Sequence, residues 1–442
     1  MKKFLKKTLK VTAITLGVLL IILILIPFIF GKQIKQAVKD YINKEVNATV
    51  YFEDIGIGIF RNFPNLTVSL DKFGVIGKDE FKGDTLLDVE RFGVVVDLFS
   101  LFGDKYKVNK LTLDAPRIHA KVNKAGKANW DIMKPSTDTL AVDTAAVDTS
   151  SSALSLQLSG YAINNGQVIY DDKAGDMYLK IDNLNHKGNG DFQDDAYDFD
   201  TYTSADSVTF EMGGTNYLNK GKVDADLTVN IDTKNGIYTL KDNRIGLNEI
   251  ELKFDGMVTM KGDNIGLDLK FGTNENTFKS ILSMVPGMYT KDFSDIDTDG
   301  TFSLDGSVKG NYNETSIPGF KVHLGVENGR FKYPDLTEEV KDINFDFKAE
   351  SPGPTLDNLK IEIPKFHALL GKAPIDARLL LTGVTNANMF IDAYLKASLN
   401  LEDLLKMFPM EGQDMKGKFT VDGTAKGTVN VDKGTFPVVN AL

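Results

Sequence analysis

The chain has 442 residues and no cysteine, one tryptophan, four histidines and 13 prolines. Without cysteine there is no disulfide, no thiolate nucleophile and no cysteine-based zinc site. His119, His186, His323 and His367 lie far apart, and none falls in an H-E-x-x-H pattern. Each reads as an ordinary strand-surface or loop residue rather than a ligand. The G-x-S-x-G elbow and the G-x-x-x-x-G-K-[ST] phosphate loop are both missing. Gly56-Ile-Gly58 and Gly188-Asn-Gly190 lack the third glycine of a dinucleotide fingerprint and read as turns or bulges. No catalytic constellation is found, so the expectation is a protein that is not an enzyme and needs no cofactor or metal.

Basic charge is scarce outside the N-terminus. Setting aside residues 1–30, with five lysines and no acid, leaves 46 basic against 61 acidic side chains, a net −15. Phosphate backbones need a basic face, so nucleic acid is excluded as a partner.

What the chain has is first a hydrophobic run. Lys2, Lys3, Lys6, Lys7 and Lys10 precede an uncharged stretch from Val11 to Phe30. Twenty helical residues span roughly 30 Å, the hydrocarbon thickness of a bilayer. The leading lysines favour a cytoplasmic N-terminus. No small-x-small cleavage site follows, so the run reads as an uncleaved transmembrane helix over 11–30 behind a basic tail, 1–10. From Lys32 to Val46 apolar residues recur at three and four, as in an amphipathic helix.

From about Thr49 the period becomes two. Leu66, Val68 and Leu70 alternate with Thr67 and Ser69, and Val223, Ala225, Leu227, Val229 and Ile231 alternate with polar residues. Leu267-Leu269-Phe271, Phe302-Leu304, Ile343-Phe345-Phe347 and Ile361-Ile363 repeat the pattern. Such strands have one apolar and one wet face. Asn165-Gly166, Asn235-Gly236, Asp255-Gly256, Asp305-Gly306, Asn328-Gly329 and Asp422-Gly423 read as hairpin turns between them. The expected fold is mainly β, an elongated, curved antiparallel groove or meander built from repeats, with the transmembrane helix and a few short amphipathic helices.

Pro135 to Ser152 lacks aromatics and strand-length apolar runs and reads as a flexible insertion. It would divide an N-terminal β unit, 31–134, from a repeat body, 153–442. Within that body Gly300-Thr-Phe-Ser-Leu-Asp-Gly-Ser-Val-Lys-Gly310 matches Gly417-Lys-Phe-Thr-Val-Asp-Gly-Thr-Ala-Lys-Gly427 at an offset of 117. Each copy follows a helix-like segment, Phe278 to Pro286 and Leu401 to Pro409, and the repeat copies occupy about 276–310 and 398–427. A weaker echo joins Asn165–Tyr170 to Asn328–Tyr333. Repetition of this kind implies stacking. The chain stops at Leu442 soon after the second copy with no capping pattern, which leaves a truncated C-terminus open.

Three local features invite a chemical reading. Asp295-Ile-Asp297-Thr-Asp299-Gly300 resembles the opening of a calcium loop, but the twelfth position is Gly306 instead of a bidentate Glu, so it reads as an acidic turn. The acidic stretch Asp191 to Asp200 reads as an edge or loop. Trp130, after Gly126, reads as an anchor closing a local core.

The order of these features resembles the AsmA family: a lysine-rich anchor, an amphipathic helix, Phe63-Pro-Asn-Leu-Thr-Val-Ser-Leu70, Leu98-Phe-Ser-Leu-Phe102, Leu111-Thr-Leu-Asp-Ala-Pro-Arg-Ile118 and Asn129-Trp130. The resemblance covers residues 1 to about 134 and is closest to Bacteroidetes-type versions. It implies an inner-membrane anchor with a periplasmic body, related to bridge-like lipid-transfer grooves. The implied function is phospholipid transport and outer-membrane biogenesis, with acyl chains held in an apolar β-groove. The implied partners are the inner membrane, phospholipids, and outer-membrane or other envelope proteins. The alternative is a non-enzymatic envelope scaffold or tether without lipid cargo. The sequence names no lipid-binding residue, because strand register decides which face points inward.

Overall fold

The computed structural model describes residues 46–58, 62–102, 106–133, 154–155, 158–192, 195–274, 276–282, 297–332, 339–402, 416–430 and 433–441, with single positions at 36, 39 and 40. The expected basic tail, transmembrane helix and flexible insertion lie outside these residues, as does nearly all of the leading amphipathic helix. Val46 itself is not helical; it makes an isolated bridge with Met133. Among the described residues no helix is long and apolar enough to cross a membrane. The described chain is mainly β and forms two compact units, residues 1–194 with 201–220, and residues 195–200 with 221–442.

The first unit contains β1 (Ala48–Tyr51), β2 (Asp54–Gly58), β3 (Leu66–Gly77), β4 (Thr85–Val96), β5 (Tyr106–Asp114), β6 (Arg117–Val122), β7 (Leu154–Ser155), β8 (Gly160–Asp172) and β9 (Met177–Gly190). Strands β10 (Ala196–Met212) and β11 (Thr215–Asp232) contribute residues 201–220 to it. Its sheet is mixed where an antiparallel meander was expected. β5 and β6 both pair in parallel with β8, Leu111 opposite Tyr161 and Ile118 opposite Val168. They are one long strand broken at Ala115-Pro116, where Ala115 has φ 47° and proline has no N–H for the ladder. Parallel pairing needs a long crossover, and the chain between β6 and β8 supplies it. Strands before and after the 135–152 segment therefore pair within one unit, and the contact boundary falls near residues 195–220. A small core of Ala48, Val50 and Val75 packs with Val46, Phe73, Leu86, Leu87 and Ile132.

The second unit runs from residue 221 of β11 through β12 (Ile237–Leu247), β13 (Ile250–Lys261), β14 (Asn264–Thr273), β15 (Asn276–Thr277), β16 (Asp297–Tyr312), β17 (Gly319–Lys332), β18 (Val340–Ser351), β19 (Lys360–Leu370), β20 (Ala373–Thr382), β21 (Met389–Asn400), β22 (Lys418–Val429) and β23 (Val438–Ala441). Every pairing here is antiparallel between neighbours, β14 joining β16 directly while β15 adds to the other end of β16. A single described helix, α1 (Phe278–Leu282), packs on the sheet, Phe278 being 7% exposed. It begins the first expected helix-like segment; Leu401 and Glu402 begin the second, with the Asn400 Oδ1 accepting the Glu402 N–H at 3.0 Å.

Five of the six expected turn pairs are not turns. Only Asn235-Gly236 lies in a turn; the others are inside β8, β13, β16, β17 and β22. At Asn165 (φ 52°) and Asn328 (φ 51°) the register with the next strand shifts, marking β-bulges. Asn tolerates the left-handed conformation a bulge requires, which is why the dipeptide imitates a turn signal. At Gly306 the requirement is space: an added Cβ would lie 2.3 Å from the ring of Phe271, its cross-strand partner. Tyr51 over Gly74 and Tyr161 over Gly188 are built the same way.

The offset repeat is structural. Gly300 and Gly417 have φ +105° and +117°, Gly310 and Gly427 have φ +135° and +148°, and the last two face Pro318 and Pro437 alike. The Asn165–Tyr170 echo is structural too. In each copy the bulge N–H is accepted by an asparagine of the next strand, Asn165 by Asn185 at 3.0 Å and Asn328 by Asn344 at 3.4 Å.

Candidate functional site

Register in the second unit sorts side chains onto two faces. Directly paired residues share a face, so one face can be followed strand to strand. Starting at β13 it runs Phe254–Phe271, Leu269–Val308, Val308–Phe320, Leu324–Phe347, Val326–Phe345, Phe345–Phe366, Ile363–Leu379, Leu379–Ala393 and Ala397–Val421. Every strand from β13 to β22, the short β15 aside, thus contributes Val, Ile, Leu, Phe or Ala to a continuous apolar face.

The opposite face is charged. Lys309 meets Asp268 at 2.7 Å, His323 meets Asp346 at 2.9 Å, Lys360 meets Glu362 at 2.7 Å, and Lys426 meets Asp392 at 2.8 Å. Arg244 binds both Asp224 and Asp226, and those carboxylates raise its pKa further. Exposed pairs of this kind contribute little individually, but they keep this face in water and fix which face is left for apolar contact.

Covering of the apolar face is uneven. Around α1 it closes into a core: Phe302, Val326, Val340, Ile343 and Ala368 are buried with Phe278, and Phe345 meets Phe366 edge-on at 6.0 Å. Away from α1 the same face is half-buried across Val308, Phe320, Val322, Leu379 and Ile391. Met260 is 49% exposed and Leu395 41%. Among the described residues α1 is the only helix on this face.

The first unit has an equivalent face. Leu66–Val96, Val68–Val94, Val94–Leu111, Phe92–Leu113, Leu111–Tyr161 and Leu113–Ile163 continue it across β3, β4, β5 and β8. Its other face carries Gly56, Ser69, Gly93 and Thr112 around a cavity of about 490 Å³ that Arg91 and Lys110 also line. The two glycines of Gly56-Ile-Gly58 are thus strand residues of β2.

The four histidines do not converge. His367 pairs with Asp376 at 2.7 Å and His323 bridges Asp305 and Asp346, all on the charged face. Burial lowers the pKa of His119. His186 departs from the surface reading: Nε2 meets the Tyr161 hydroxyl at 2.8 Å and Nδ1 meets the Thr203 hydroxyl at 2.9 Å. Burial lowers the His186 pKa and raises that of Tyr161.

The acidic candidates separate as well. Asp297 and Asp299 lie in β16, where Asp297 accepts from Arg330 at 2.7 Å, and Asp295 lies outside the described residues. Asp198 and Asp200 lie in β10 and accept from Asn230 and Thr228. Among the described residues no group of three His, Asp or Glu side chains could hold a metal ion. Trp130 is 43% exposed beside Tyr170, at 6.0 Å between rings. The local lock is its neighbour Asn129, 3% exposed, which accepts the Lys121 N–H at 2.8 Å and donates to the His119 carbonyl at 2.8 Å.

No curated protein and no solved structure matches this chain. The model of the AsmA family matches residues 1–284, well over half of the sequence. With its mainly β fold and the ordered succession of its N-terminal motifs, the chain belongs to the AsmA family.

Proposed function

We propose that this protein is anchored in a bacterial inner membrane by residues 11–30 and holds phospholipid acyl chains on its apolar β face in the periplasm, serving lipid transport and outer-membrane biogenesis without enzymatic activity. The carrying observation is the continuous apolar face of the second unit, which stays half-buried away from α1. Large apolar patches on soluble surfaces mark sites of contact with another apolar body. Acyl chains suit a long, smooth face of Val, Ile, Leu and Phe, because each methylene removed from water contributes about 0.8 kcal/mol. The ion pairs on the other face support a body immersed in water on that side. Family membership is compatible with this role. Its relatives' partners in the envelope, outer-membrane proteins included, remain part of the proposal.

The test uses the full chain, extracted in amphipol and analysed by mass spectrometry for co-purified lipid, then titrated with a fluorescent phospholipid. Co-purified phospholipid and saturable uptake are expected. An empty protein that takes up no probe refutes lipid binding and favours the scaffold, in which the apolar face is covered by another protein.

A further inference from the structure

The two bulged hairpins, β8–β9 and β17–β18, superimpose residue by residue in their wiring. Asn165 corresponds to Asn328 at the bulge, and Asn185 corresponds to Asn344 as the acceptor that caps it. Register carries the equivalence inward: Ile163 faces His186 as Val326 faces Phe345, and Tyr161 faces Gly188 as Leu324 faces Phe347. The second hairpin therefore has Leu324 and Phe345 where the first has Tyr161 and His186; beyond them, Phe345 meets Phe366 on the next strand, whereas His186 meets Thr203 on β10. In one copy the position is a wholly apolar core beneath Phe278. In the other it is a three-membered hydrogen-bonded chain set in an apolar face.

The local construction serves that chain. Gly188 lies directly opposite Tyr161, and a Cβ there would come within 2.6 Å of the ring. The glycine lets the ring lie over the strand, 5.3 Å from the imidazole between centroids, with its hydroxyl on Nε2. The phenol is the more acidic of the two hydroxyls, so it is the donor to Nε2. In that tautomer Nδ1–H donates to the Thr203 oxygen, and the Thr203 hydroxyl is left with a proton to donate outside the chain. Burial lowers the imidazole pKa and so favours its neutral form, in which the chain offers a directed dipole rather than a charge. Apolar lining comes from Ile163 beside Tyr161 on β8 and, on the strands beyond it, from Leu113 and Phe92.

A neutral donor amid aliphatic side chains matches one part of a membrane lipid: the ester carbonyls between acyl chains and headgroup. Charged headgroups prefer water or a cation, and the methylenes need no donor. Resting on the lipid reading above, we infer that Tyr161, His186 and Thr203 form a polar station in the first unit that receives the ester carbonyls of a diacyl lipid while its chains lie on the neighbouring apolar face. The station would discriminate diacyl esters from chains that lack carbonyls.

The test compares two fluorescent phosphatidylglycerols with the same chains and headgroup, one ester-linked and one ether-linked, titrated against the amphipol-held full chain. The expected result is about tenfold tighter binding of the diester, the worth of one well-placed hydrogen bond. The variant that makes these positions apolar, Tyr161→Leu and His186→Phe as in the second hairpin with the near-isosteric Thr203→Val, should bind the diether as the parent does and lose the preference. Tyr161→Phe, which removes one oxygen and keeps the ring over Gly188, should lose most of the preference and serves if the triple variant does not fold. Equal affinity of the parent for both lipids overturns the station, as does a preference that survives in Tyr161→Phe. A parent that binds neither lipid refutes the lipid reading itself, and the station with it.

Discussion

The 117-residue repeat gives two glycine pairs that share backbone conformation, one with different surroundings and one with matching surroundings, and alanine at each separates strain from crowding. At Gly417 (φ +117°) an alanine meets nothing described within 4 Å, so only the backbone conformation is penalised, at about 2 kcal/mol. At Gly300 (φ +105°) the same strain applies, and the new Cβ lies 2.6 Å from the Cα of Gly329 and 2.7 Å from the carbonyl oxygen of Asn328. Both neighbours are backbone atoms of the bulge in β17, so relief requires the bulge to move, adding about 2 kcal/mol more. For a unit of this size each kcal/mol lowers Tm by roughly 2–4 °C. Gly417→Ala should thus lower Tm by about 4–8 °C and Gly300→Ala by about 8–16 °C. Gly310→Ala and Gly427→Ala are the control: their Cβ atoms meet Pro318 at 3.2 Å and Pro437 at 3.1 Å, so the two shifts should agree. Calorimetry of the full chain, with hydrogen exchange to locate the change, reads all four. A Gly300→Ala shift no larger than that of Gly417→Ala refutes the bulge contact; unequal shifts in the control pair refute the structural repeat.

Val322→Glu puts a carboxylate on the half-buried stretch of the apolar face; Tm should fall by only a few degrees while phospholipid uptake drops at least tenfold, and outright unfolding would mean the face is a closed core. Phe302→Ala, at 3% exposure under α1, should cost about 3–5 kcal/mol in urea unfolding and speed amide exchange over residues 278–282; a cost below about 1 kcal/mol would show that α1 does not close that end. Arg244→Met removes the partner of Asp224 and Asp226 and should cost about 1 kcal/mol at low salt and less at 1 M, so a salt-independent loss would contradict an ion-pair origin. His186 has its pKa lowered by burial, so the unfolded chain takes up the proton first. Its contribution to stability is complete above the ordinary value of 6.5 and is lost as pH falls below it. The urea midpoint should decline from pH 7.5 to 5, and His186→Phe should flatten that decline; an identical slope in the variant counts against it.

Strand periodicity was plain in the sequence because alternation reports which side of a pleat meets water. Leu66–Leu70, Leu267–Phe271 and Ile343–Phe347 all lie in strands with the expected faces. Asn165-Gly166 and Asn328-Gly329 misled because a bulge and a type I′ turn both call for positive φ at the asparagine, and Asp305-Gly306 misled because its glycine makes room for the Phe271 ring. The parallel pairing of β5 and β6 with β8 was hidden, since alternation says nothing of a partner's direction. His186 escaped notice because one inward polar residue barely perturbs an alternating pattern. The signal that reveals it is comparative: aligning the Asn165 and Asn328 echoes sets His186 against Phe345.

The matching copies β16 and β22 stand six places apart in an antiparallel ladder. Six is even, so the later copy runs in the same direction as the earlier one, and register turns the matching Leu304 and Val421 toward the same face. Adding or losing one strand would reverse the direction of all that follows and move its loops to the opposite ends of the strands, while pairing register would still decide which side is greasy. Such a ladder keeps strand direction and loop placement when it changes by whole hairpins, steps of about 9.5 Å.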